Sequence, residues 1–190
     1  MTTGTALLAL CTPLLTGTTN AGARVYTPAD IPSVDGEYPM LLVDMDEESG
    51  ESLGNIGGPQ FVVTHTLAVR GRVDAPADTG DLGAASVYAA LNTLRDQILA
   101  AILGGAGLAA LLAPNGPVQE FTGYRSEKSR SDATAGRHYG QVVVTFEIAV
   151  RADLRDFGGL ATVPLEDIHV TTGVRQYTTP VEIDTQNLNA

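Results

Sequence analysis

Residues 141–150 read QVVVTFEIAV, and their side chains fall into two alternating sets. One set is apolar throughout: Val142, Val144, Phe146, Ile148 and Val150. Residues 61–73, FVVTHTLAVRGRV, show the same period of two and the same abundance of β-branched residues. Since this period places alternate residues on opposite faces of a strand, both stretches are predicted to be half-buried strands.

Two helices are predicted around these strands. Across residues 84–103, apolar side chains recur every three or four positions and a glycine pair follows, which indicates one long amphipathic helix. The apolar positions are Val87, Leu91, Leu94, Ile98 and Ile102. A shorter first helix is predicted over residues 6–15, with Leu7, Leu10, Leu14 and Leu15 on its apolar face. That stretch is too short for a membrane span, which needs about 20 apolar residues.

Charge and composition exclude several classes of protein. The chain has 190 residues, 22 Asp and Glu against 11 Lys and Arg, and a net charge of -11. Nucleic-acid binders concentrate cations on one face, so extensive phosphate contacts are disfavoured. Cys11 is the single cysteine, and the three histidines have no zinc-ligand spacing, so no structural zinc site is expected.

Two polar segments are the candidate contact regions. A short buried strand is predicted to end at Asp44, followed by a solvated acidic loop without the register of an EF-hand. The acidic loop carries Asp44, Asp46, Glu47, Glu48 and Glu51. Residues 123–140 are predicted to be a long polar hairpin-like loop that contacts a partner. Its cations are Arg125, Lys128, Arg130 and Arg137.

No catalytic, cofactor-binding or metal-binding residue is predicted. His65 lies on the apolar side of its strand, where a core histidine with satisfied hydrogen bonds is favoured over a buried general base. Residues 105–110, GAGLAA, fit a loose dinucleotide fingerprint, but they follow a helix, whereas the motif requires a preceding strand. A helix break is therefore the favoured interpretation.

The order of elements, together with Arg24-Val25-Tyr26 and the Tyr38-Pro39 pair before an apolar run, resembles the tail terminator (tail completion) proteins of long-tailed bacteriophages. The resemblance covers about residues 1–155. It implies an α+β domain over residues 1–157, with an antiparallel sheet of about four strands and one long and one or two shorter helices on one face. Residues 158–190 are predicted to be an extended C-terminal arm that either is ordered by a neighbouring subunit or stays mobile.

The function implied by the resemblance is structural and non-enzymatic. Members form a hexameric ring that caps the tail tube and receives the head-side connector or stopper protein. The implied location is the tail or neck of the virion, assembled in the host cytoplasm, with no cofactor and no membrane. DNA would pass through the ring without specific binding, and the acidic loop would face the lumen and repel it.

Three alternatives remain open from the sequence. The first is another phage neck protein, a head-completion or connector ring subunit. The second is a binding or assembly module unrelated to phages. The third is an enzyme whose site is formed by residues distant in sequence.

Overall fold

The computed structural model describes residues 4–28, 38–54, 60–77, 82–112, 118–134 and 136–153. These residues form an α+β fold of three helices and a five-stranded mixed sheet. The elements are α1 (Gly4–Leu15), β1 (Val25–Tyr26), β2 (Met40–Ser52), β3 (Gln60–Pro76), α2 (Leu82–Leu103), α3 (Gly105–Leu111), β4 (Glu120–Thr134) and β5 (Arg137–Asp153). The predicted fold class is confirmed, and the predicted arm at residues 158–190 lies outside the described residues.

The sheet has the strand order β1-β2-β3-β5-β4. The short β1 runs parallel to the start of β2, and every other pair is antiparallel. The prediction of about four antiparallel strands therefore missed one strand and one parallel pair. Strands β3 and β5, predicted from their alternation, form the centre of the sheet and pair over their whole length.

The helices cover one face of the sheet. A Cβ atom added to Gly71 of β3 would lie 2.6 Å from Leu94 of α2, and the start of α1 lies against Met45 of β2. Gly71 and Met45 occupy the same side of the β2–β3 ladder. The opposite side carries no described helix and is called the helix-free face below.

The core lies between the helices and this sheet face. The predicted stripe of α2 is buried at all five positions. In α1 the buried residues are Leu7, Cys11 and Leu15, a spacing of four, whereas Leu10 is 43% exposed. The prediction that Leu10 belongs to the apolar face is therefore wrong.

Both polar segments are strands instead of loops. β2 continues past Asp44 to Ser52 because β3 pairs with it as far as Phe61. β4 occupies most of the predicted 123–140 loop and pairs with β5 through a tight turn that contains Gly136, where φ is +73°. On one side of each strand the carbonyl and N–H groups bond the neighbouring strand, so this pairing holds the segments extended while their polar side chains remain in water.

No single described helix is long and apolar enough to cross a bilayer. Together α2 and α3 meet that test, with a bend of 44° at the break between them.

Candidate functional site

Four of the five predicted acidic residues lie on the helix-free face. Asp44 is opposite Ala68, Glu47 opposite Thr66 and Glu51 opposite Val62, all on the side of β3 that faces away from α2. Asp46, at the bulge in β2, joins them through its contact with Arg70. These four residues are called the acidic row: Asp44, Asp46, Glu47 and Glu51.

Arg70 neutralises one end of the acidic row. Its Nη2 donates to both carboxylate oxygens of Asp46, at 2.6 and 2.7 Å, and its Nη1 lies 3.5 Å from Asp44. These groups are partly exposed, so the network stabilises the fold by about 1 kcal/mol or less. The exposed Glu47 and Glu51 extend the negative charge beyond the reach of this arginine.

Glu48, the fifth predicted acidic residue, lies on the side of the helices and not with the acidic row. The bulge between Met45 and Glu47 shifts the register by one residue and places Glu48 opposite His65. Its carboxylate lies 3.3 Å from Nδ1 of His65, which is 1% exposed. The other imidazole nitrogen, Nε2, is buried and has no hydrogen-bond partner among the described residues. His65 is therefore buried in the core, as predicted, but among the described residues only one of its two ring nitrogens has a partner, so the prediction of a fully satisfied histidine is not met.

The four predicted cations do not form one cluster. Arg125 lies on the helix-free face and pairs with Glu127, whereas Arg130, opposite Gly140, lies on the side of the helices. Arg137 begins β5 and donates to Asp74, and this hydrogen bond raises the pKa of its guanidinium. Lys128 reaches Asn92 of α2.

Sequence reasoning missed two exposed tyrosines beside β4. Tyr88 of α2 is 51% exposed, and Tyr124 of β4 is 58% exposed. The ammonium of Lys128 lies 5.2 Å from the centre of the Tyr88 ring, a cation–π distance. The exposure of Tyr88 could have been predicted, since this residue follows Val87 and lies outside the apolar stripe of its helix.

The remaining candidates from the sequence are Cys11, the glycine-rich residues 105–110 and clusters of possible metal ligands. Among the described residues, no group of three or more His, Cys, Asp or Glu could hold a metal ion. Cys11 is fully buried in the core, and this burial raises the pKa of its thiol to about 12. Gly105 begins α3 directly after α2, as the predicted helix break requires.

Comparison with known proteins gives little further information. No family model and no curated protein matches the chain. Among solved structures, the chain is similar to one from the "Virion of native gene transfer agent (GTA) particle", with 18% sequence identity over 77% of this chain and 84% of that chain. The TM-score is 0.34, which does not establish a shared fold.

Proposed function

We propose that the chain is a non-enzymatic structural protein of a phage virion, a subunit of a hexameric ring that caps the tail tube and joins it to the head-side connector or stopper. The observation that carries this proposal is the two-sided sheet. Helices occupy one face, and the acidic row lies on the other. A sheet of this kind can line a channel with its helix-free face while the helices form the outer wall.

The charge of the acidic row suits a channel through which DNA slides. Carboxylates on the lumen wall repel phosphates, so the genome passes without specific binding. Glu48 is not part of this lumen surface, because it contacts His65 on the other side of the sheet. The cations of β4 are then available for contacts with protein partners. The proposed location is the neck or tail of the virion, after assembly in the host cytoplasm.

The test is the mass of the purified full chain at several salt concentrations, alone and with tail tubes from the virus that encodes it. We expect rings of six copies of the 19.8 kDa chain, and electron microscopy should show them at one end of the tube. A chain that stays monomeric with and without tubes would contradict the proposal. Rings that bind isolated heads and ignore tubes would support the alternative of a head-completion or connector subunit.

We also propose that residues 158–190 clasp the neighbouring subunit. Deleting them should raise the dissociation constant of the ring about tenfold or more, equivalent to the loss of about 1.4 kcal/mol per interface. The midpoint of urea unfolding should not change, because the helices and the sheet of the described residues already form a continuous core from Leu7 to Val150. Mass measurement and urea titration of the 1–157 variant test this, and an unchanged ring would refute the clasp.

A further inference from the structure

Two long strands of the sheet, β4 and most of β2, have an outer edge without a partner strand among the described residues. Among the described residues, β4 pairs only with β5. On the opposite side, β1 pairs with β2 only at Leu41 and Leu42, which leaves residues 43–52 of β2 open within the described ranges. An open edge presents unpaired N–H and C=O groups to any strand that can approach it.

The central parts of the two edges carry opposite charge, whereas β4 over its whole length is neutral, with Glu120, Glu127 and Asp132 against three cations. Residues 44–51 of β2 include five carboxylates and no cation. Residues 124–130 of β4 include three cations and one carboxylate, Glu127. Two β2 edges facing each other would bring together two groups of five carboxylates, and two 124–130 segments would bring together two groups of three cations and one carboxylate. Between unlike edges, Lys128 and Arg130 would lie on the same side of the sheet as Glu48, and Arg125 on the side of the acidic row. The charges therefore oppose pairing of like edges and favour pairing of unlike edges.

Exposed apolar and aromatic groups flank both edges. Tyr88 and Tyr124 lie beside β4, and Lys128 holds Tyr88 through its ring contact while it bonds Asn92 of the same helix. Directly after β2, Leu53 is 57% exposed. Tyrosines held in place next to an unpaired strand are typical of protein interfaces.

We infer that the β4 edge of one copy pairs with the open β2 edge, residues 43–52, of the next copy. This inference rests on the proposed ring and names the contact that closes it. In the strand order β2-β3-β5-β4 each neighbour reverses direction, so β4 runs antiparallel to β2. Rotation about a ring axis preserves strand direction, so the junction is antiparallel and the sheets form one continuous wall. Such a head-to-tail contact uses two different surfaces of each subunit.

Charge reversal at each edge tests the pairing. One full-length variant carries Glu47→Lys and Glu51→Lys, and the other carries Arg125→Glu and Ser129→Glu, so that all four positions lie on the helix-free face. Alone, each places like charges at every junction, and the dissociation constant of the ring should rise about tenfold or more. Mixed in equal amounts, they should form alternating rings of wild-type mass, because both kinds of junction again join opposite charges. Asp96→Lys, on the exposed surface of α2, is the control and should leave the ring intact.

The outcomes separate this inference from the proposed function. Wild-type rings that are unaffected by both double variants would overturn the edge pairing and leave the ring proposal standing. Variants that fail alone and are not rescued by mixing, although circular dichroism shows them folded, would also overturn it. A wild-type chain that forms no ring, with or without tubes, would refute the proposed function itself.

Thiol cross-linking provides a second measurement that does not depend on charge. Ser49 of β2 and Ser129 of β4 both lie on the helix-free face, and the buried Cys11 thiol does not compete for reagent. With Ser49→Cys and Ser129→Cys in one chain, a short bismaleimide should link neighbouring copies covalently. Denaturing gel electrophoresis should then show linked species from the dimer up to the hexamer. Ser49→Cys alone should give no linked species. Dimers of that single variant would indicate β2 paired with β2 and overturn the inference.

Discussion

Replacing Phe146 with alanine is expected to lower the free energy of unfolding by about 3–5 kcal/mol. Phe146 is fully buried at the centre of β5, and its ring lies edge-on to Phe121, 6.5 Å between ring centres. The substitution removes a large apolar side chain and leaves a cavity between two central strands and the helices, which cannot collapse fully. It also removes the aromatic contact with the neighbouring strand.

Urea unfolding of the dissociated chain measures this effect. The midpoint should fall while the slope of the transition stays constant, since the surface exposed on unfolding barely changes. Tyr124→Ala is the matched control, because Tyr124 is the cross-strand partner of Phe146 but is 58% exposed. It should change the stability by about 0.5 kcal/mol or less. Equal losses from the two substitutions would contradict the placement of the core.

The central elements were predictable because each carries its own periodicity. Strands β3 and β5 alternate with a period of two, and α2 repeats its apolar residues every three or four positions. The two edge strands do not carry such a signal. Residues 46–52 are exposed throughout, and β4 is polar along most of its length, so their strand conformation depends on backbone pairing with partners distant in sequence.

The residues of the candidate surfaces could be predicted from the sequence, but their arrangement on the two faces of the sheet could not. The acidic segment was identified from charge alone, yet the bulge after Met45 decides that Glu48 contacts His65 while Glu47 lies on the opposite face. The charge pattern gives no sign of a single-residue bulge. Such a bulge moves the side chain of every following residue in the strand to the other face of the sheet. The exposure of Tyr124 is likewise decided by the strand order, since β4 lies at the end of the sheet.

Gly107→Ala is expected to destabilise the fold by about 1–3 kcal/mol or more, by forcing α3 away from α2. A Cβ atom at this position would lie 2.0 Å from the carbonyl oxygen of Ala101 and 2.9 Å from that of Ile102. These are backbone atoms of α2, so no side-chain rotation can relieve the clash. The close approach follows from the 44° bend between the two helices, where Gly104 adopts an extended conformation.

Gly105→Ala is the control that separates packing from backbone chemistry. A Cβ atom on Gly105 would have no neighbour within 4 Å, and alanine is favoured over glycine in a helix by about 1 kcal/mol. Gly105→Ala should therefore leave the urea midpoint unchanged or raise it, whereas Gly107→Ala lowers it. A phosphate-binding loop would instead need its glycine backbone open to a ligand, and here Gly107 is buried against α2. If Gly105→Ala proved the more damaging change, the helix-break interpretation of residues 105–110 would be wrong.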